Sequence, residues 1–145
     1  MKSRDLALIA ILLAIGAVLY AFTPNIGVIT PDTVVTMAAL AILLVRPDLL
    51  SGLGIGIVAG VIGMFYSKSA IAWFNIPAHA FGALATAVVA KNVGELKTGS
   101  ISWKPFLGAL AYGVVSGGLF ITALLIAGVF PVQIYFTVAW AQVLL

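Results

Sequence analysis

Cysteine is absent from this chain, and charge is nearly so: only 8% of its 145 residues are Asp, Glu, Lys or Arg. Without cysteine there is no disulfide framework, no thiol chemistry and no Cys-based metal site. One histidine and four acids leave too few ligands for a zinc site. No Ser/His/Asp set has catalytic spacing, and no two carboxylates share a face, so nothing points to an enzyme. The run Gly52-Leu53-Gly54-Ile55-Gly56 lacks the Gly-Lys-Ser/Thr of a phosphate loop, so any ATP-driven work falls to partner proteins. No cofactor motif is present. The net charge of +3 reads as a topology signal and not as a nucleic-acid surface.

What is abundant is apolar surface. Hydrophobic residues make up 63% of the chain and the mean hydropathy is +1.26. Soluble domains carry about 25% charged residues, so the composition predicts an all-α integral membrane protein. Spans need about 20 residues each, which fits one domain of five to six helices. Residues 6–22 form the first apolar run. Behind Met1-Lys2-Ser3-Arg4 it resembles a signal peptide, but it exceeds the usual core of about 7–15 residues and reads as a first span.

Helix 2 is expected at 31–45, with Thr30 as its cap and Pro31 in its first position. At ~22 Å it is short for a ~30 Å hydrocarbon core, so the preceding loop is expected to dip into the membrane. Helix 3 follows at 49–66. Helix 4 is expected at 76–90 with Asn75 as its cap, and helix 5 at 105–128, after a polar connector. A sixth, at 134–145, is too short to span alone. Lys2, Arg4, Arg46, Lys91, Lys97 and Lys104 then fall on one side and Lys68 alone on the other. This bias places the N-terminus in the cytoplasm.

Small residues form stripes. Ala7, Ala10, Ala14, Ala17 and Ala21 are spaced 3, 4, 3 and 4 on the first helix, a seam fit either for internal packing or for docking another helix. Gly52, Gly56, Gly60 and Gly63 line the third helix, and Ala109, Gly113 and Gly117 the fifth. These are expected to serve internal packing.

The outer end gathers the chemistry. Asp32 is its only acid, Lys68 its only Lys or Arg, and His79 the only histidine in the chain. An ionisable group at a membrane edge is costly and marks a functional candidate, although Asp32 also suits a helix start and Lys68 can snorkel to headgroups. Asn75 and His79, four apart, share a helix face. Tyr66, Trp73 and Phe74 flank the same loop, either as an interfacial belt or as a lid on an aromatic ligand. Gln133 lies at the start of the sixth helix near that end. One anion, one cation and one imidazole suit a small dipolar solute.

The run Gly16-Ala17-Val18-Leu19-Tyr20, the Pro31-Asp32 helix start and Asn75-Ile76 resemble the tryptophan-transporter group of S-components. These are the substrate-binding subunits of energy-coupling factor transporters. The resemblance extends through the fifth helix. It implies six membrane helices in a prokaryotic plasma membrane, with tryptophan captured near the outer face under loops one, three and five. It also implies docking to a transmembrane coupling subunit through Ala10-x-x-x-Ala14 and Ala17-x-x-x-Ala21, and toppling driven by two ATPase subunits. Two features depart from the family: the sixth helix is truncated, and His79 stands where an acidic or polar residue is expected.

A zwitterionic amino acid needs an acid for its ammonium, which Asp32 supplies. It needs donors for its carboxylate: Lys68, His79 or N–H groups at the Asn75–Pro77 helix start. Trp73, Phe74 and Asn75 would form an indole slot. Two other readings remain: a homo-oligomeric carrier or channel using the small-residue seams, and a scaffold subunit without transport activity.

Overall fold

The computed structural model describes residues 1–24 and 31–144; the expected loop dip and the Thr30 cap lie outside them. Among the described residues the chain forms six helices: α1 (Ser3–Phe22), α2 (Thr33–Val45), α3 (Leu49–Tyr66), α4 (Asn75–Asn92), α5 (Lys104–Ile126) and α6 (132–144). A 3₁₀ turn, Ala72–Phe74, leads into α4. The connector before α5 is not wholly irregular: β1 (Lys97–Thr98) pairs with β2 (Ile101–Ser102) in a minimal antiparallel hairpin. Gly99 turns it at φ 63°. Four helical segments are long and apolar enough to cross a membrane: α1, α3, α4 with its 3₁₀ turn, and α5.

Polar side chains set the helix ends, and they shift several expected boundaries. Helix α1 begins three residues early because Asp5 reaches back to accept from the Lys2 backbone N–H at 3.0 Å. The start of α2 moves the other way. Pro31 is outside the helix and Asp32 is the N-cap, its Oδ1 accepting from the N–H groups of Val34 at 2.9 Å and Val35 at 3.1 Å. A carboxylate satisfies two of the donors that a helix start leaves open, which fixes the boundary there. Arg46 ends α2 in the left-handed region, Pro47 prevents continuation, and Asp48 caps α3 through Ser51.

Asn75 is not a cap. The 3₁₀ turn already supplies acceptors, so the Asn75 N–H bonds the carbonyls of Ala72 and Trp73. Its side-chain Nδ2 donates to the Ala72 carbonyl at 2.7 Å. Helix α4 also continues two residues past the expected end, to Asn92. Lys104, expected in the connector, is the first residue of α5 and is buried. In α6 a π-helical stretch, Tyr135–Ala139, separates two short α-helical pieces.

Helix α2 is short because protein surrounds it. It packs on α1, α3, α4 and α5, and Val34, Ala38, Ala39, Ala41 and Ile42 are essentially inaccessible. Gly52, Gly56, Gly60 and Gly63 of α3 lie on α4: a Cβ at Gly56 would sit 2.5 Å from the His79 carbonyl oxygen, and one at Gly60 2.6 Å from the Ile76 Cα. The absence of side chains lets the two backbones approach this closely. Gly108 of α5 abuts Leu43 and Gly117 abuts Val143, whereas Gly113 has open space around it.

Candidate functional site

Three helices bring ionisable side chains to one place. His79 lies four residues into α4, about 6 Å below its start at 1.5 Å per residue, and its side chain is only 3% exposed. Its Nε2 is 3.5 Å from Oδ2 of Asp32, which is 27% exposed. Its Nδ1 is 3.3 Å from the Tyr112 hydroxyl of α5, and Tyr112 is fully buried. Asp32, His79 and Tyr112 therefore form a polar chain across the bundle. Tyr20 of α1 is close enough for the Asp32 charge to act on it, and its ring meets Tyr66 edge-on at 6.2 Å.

Each position has a local cause. Helix capping fixes Oδ1 of Asp32 and leaves Oδ2 for His79. The Thr33 hydroxyl donates to the Gly16 carbonyl at 2.9 Å and ties the α2 start to α1. The imidazole has room because residue 63 is glycine: a Cβ there would lie 3.1 Å from Nε2. About two turns deeper, the Thr86 hydroxyl bonds the Gly82 and Gly108 carbonyls, locking α4 to α5.

Both imidazole nitrogens are engaged, which defines what the chain can do. In the neutral tautomer that carries its proton on Nε2, the Tyr112 hydroxyl donates to Nδ1 and Nε2–H faces Asp32 Oδ2 at 3.5 Å. With imidazolium, both nitrogens donate. The Asp32–His79 pair thus carries a net charge of −1 or 0 according to one proton.

The other expected site residues lie at the end of α3, in the connection to α4, at the start of α4 and in α6. Asn75 is buried one turn before His79. The Trp73 and Phe74 ring centroids lie 4.3 Å apart with planes tilted by 56°, and Trp73 is exposed. Tyr66 is exposed at the end of α3, and Lys68 is exposed in the connection that follows. Gln133 is exposed on α6 and makes no described side-chain contact with Asp32 or His79. The Asn75–Pro77 helix start is a poorer anion site than expected, since the Asn75 N–H is taken and Pro77 has none. Tyr20 and Tyr112 were not anticipated as site residues. The available signal was a lone tyrosine within the long apolar α5 run.

On α1, Ile9, Leu13 and Gly16 face the bundle. Ala10, Ala14 and Ala21 are exposed and Ala17 is half-buried. The alanine seam therefore lies mostly outside the internal contact. Among the described residues no group of His, Cys, Asp and Glu could hold a metal. A separate open cleft of ≈ 500 Å³, lined by apolar residues including Phe81, Val88, Val115, Leu119 and Trp140, shares no residue with the polar chain. Comparison with protein-family models, curated proteins and solved structures returned no match.

Proposed function

We propose that this chain is the membrane-embedded solute-capture subunit of an ATP-driven importer of the energy-coupling factor type. Its solute is a small zwitterion, tryptophan being the leading candidate. The observation that carries the reading is the Asp32–His79–Tyr112 chain, held by three helices at the end of the bundle where α2 and α4 begin. A bundle built of alanine, glycine and aliphatic side chains gains little stability from a mostly buried carboxylate–imidazole pair, and such a pair in a membrane is a functional candidate.

In this reading Asp32 Oδ2 receives the ammonium, Lys68 receives the carboxylate, and Trp73, Phe74 and Tyr66 flank the indole. The exposed alanine seam supports docking of a transmembrane coupling subunit, which in turn engages two ATPase subunits. The same seam also fits self-association in a homo-oligomeric carrier. Uptake that persists without ATPase subunits would favour the carrier.

The test is thermal stabilisation of the detergent-purified protein by the twenty amino acids and common vitamins. A selective shift with tryptophan, lost in Asp32→Asn, supports solute and site together. A shift with another solute changes the substrate, and no shift with any compound argues for a scaffold without a solute site.

A further inference from the structure

His79 does more in this geometry than hold Asp32. We propose that the imidazolium charge of His79 and a cationic solute group compete for the Asp32 carboxylate, so that solute binding expels the Nδ1 proton of His79. The inference rests on the solute-capture reading above.

Asp32 Oδ1 is committed to two backbone N–H groups of α2, and only Oδ2 faces His79. A solute ammonium reaching Oδ2 therefore meets the ring nitrogen already 3.5 Å from it. If His79 is imidazolium, one carboxylate then faces two cations in a low-dielectric interior, an arrangement that disfavours the added charge. Losing the imidazole proton restores neutrality. One cationic group enters, one proton leaves to solvent, and Tyr112 donates to the freed Nδ1. No other element supplies a described compensating charge. Around the pair, α1 presents Tyr20, α5 presents Tyr112 and α3 presents Gly63, none of them ionised near neutral pH. Imidazole is the side chain that exchanges this proton near neutrality.

The proton also sets the charge class of the solute. With neutral His79 the Asp32–His79 pair presents a net anion and accepts tryptamine. With imidazolium that pair is neutral and holds no added cation.

Calorimetric titration of the purified wild-type protein with tryptophan and with tryptamine, from pH 5 to 8 in buffers of differing ionisation enthalpy, tests this. Affinity should rise with pH by up to about tenfold per unit on the acid side and then level off, with up to about one proton released. The rise should flatten in His79→Gln. Wild-type binding with a pH-independent Kd and no proton release overturns the proposal while leaving solute capture intact. So does an equal pH dependence in a folded His79→Gln variant. No binding of either probe at any pH overturns the capture reading and this inference with it.

Discussion

Replacing Gly56 by alanine tests the contact on which the site is built. The new methyl would lie 2.5 Å from the His79 carbonyl oxygen, 2.6 Å from the Ala83 Cβ and 2.7 Å from the Ala80 Cα. Two of these atoms are backbone, so no rotamer change relieves the clash. The helices must part by roughly 0.9 Å to restore ordinary contact, and overpacking of this kind costs about 1–3 kcal/mol. Alanine returns about 0.5–1 kcal/mol of helix propensity, leaving a net loss of up to about 2.5 kcal/mol. Gly54→Ala on the same helix is the control: nothing lies within 4 Å of its added Cβ, and it should gain the propensity term alone. Both variants would be compared with wild type by thermal unfolding in one detergent. Because the displaced backbone carries His79, Gly56→Ala should also weaken solute binding. A Gly56→Ala variant as stable as Gly54→Ala would refute the α3–α4 packing described above.

Asp32→Asn retains an oxygen for the Val34 and Val35 N–H groups, so stability should fall little while tryptophan affinity falls more than about tenfold, or ~1.4 kcal/mol. Asp32→Ala also removes the cap and should cost about 1 kcal/mol more stability; equal melting temperatures for the two variants would contradict the capping role. Tyr112→Phe leaves a buried His79 nitrogen without its partner and should cost about 1–3 kcal/mol in thermal unfolding. Asp48 has its carboxyl held below the ordinary carboxylate range by hydrogen bonds from the Ser51 hydroxyl and then from its N–H. Its folded value is depressed, so its stabilisation is present above the ordinary carboxylate pKa and disappears as pH falls through the lower folded value. An acid titration of melting temperature should show this loss in wild type and less of it in Asp48→Asn.

Much of the scaffold was legible in the sequence because hydropathy and small-residue spacing are local signals. Gly52, Gly56, Gly60 and Gly63 pack internally as their spacing implied, their partner being α4, and α3 itself has the expected bounds. The misplaced boundaries share a cause: capping depends on which group has no other partner. Asn75 has capping chemistry, but a 3₁₀ turn had already satisfied its N–H, and Asp32 displaced Pro31 from the helix because its carboxylate binds two donors. The pairing of Asp32 with His79 was legible only as co-location at one end. Tyr112 was not legible, because a residue 33 positions from His79 meets it only through the α4–α5 crossing. Tyr20, in the Gly16–Tyr20 run, was not legible either, because α1 meets the α2 start only through helix packing.

A single carboxylate can serve as both helix cap and solute ligand only if its oxygens are used separately, and the geometry of Asp32 has that property. Oδ1 bonds backbone that stays fixed, whereas Oδ2 faces a group whose charge can change. Exchange at Oδ2 therefore leaves the α2 start intact, and the Thr33 bond to Gly16 keeps that start anchored to α1. A carboxylate on a flexible loop would reorganise when its partner changed, and would lose affinity to that ordering. Here the capping bonds hold Oδ2 in place before any solute arrives. The exchange then alters charge at a site whose backbone is already set, and the same bonds explain why Asn, which retains Oδ1, separates the structural role of residue 32 from its binding role.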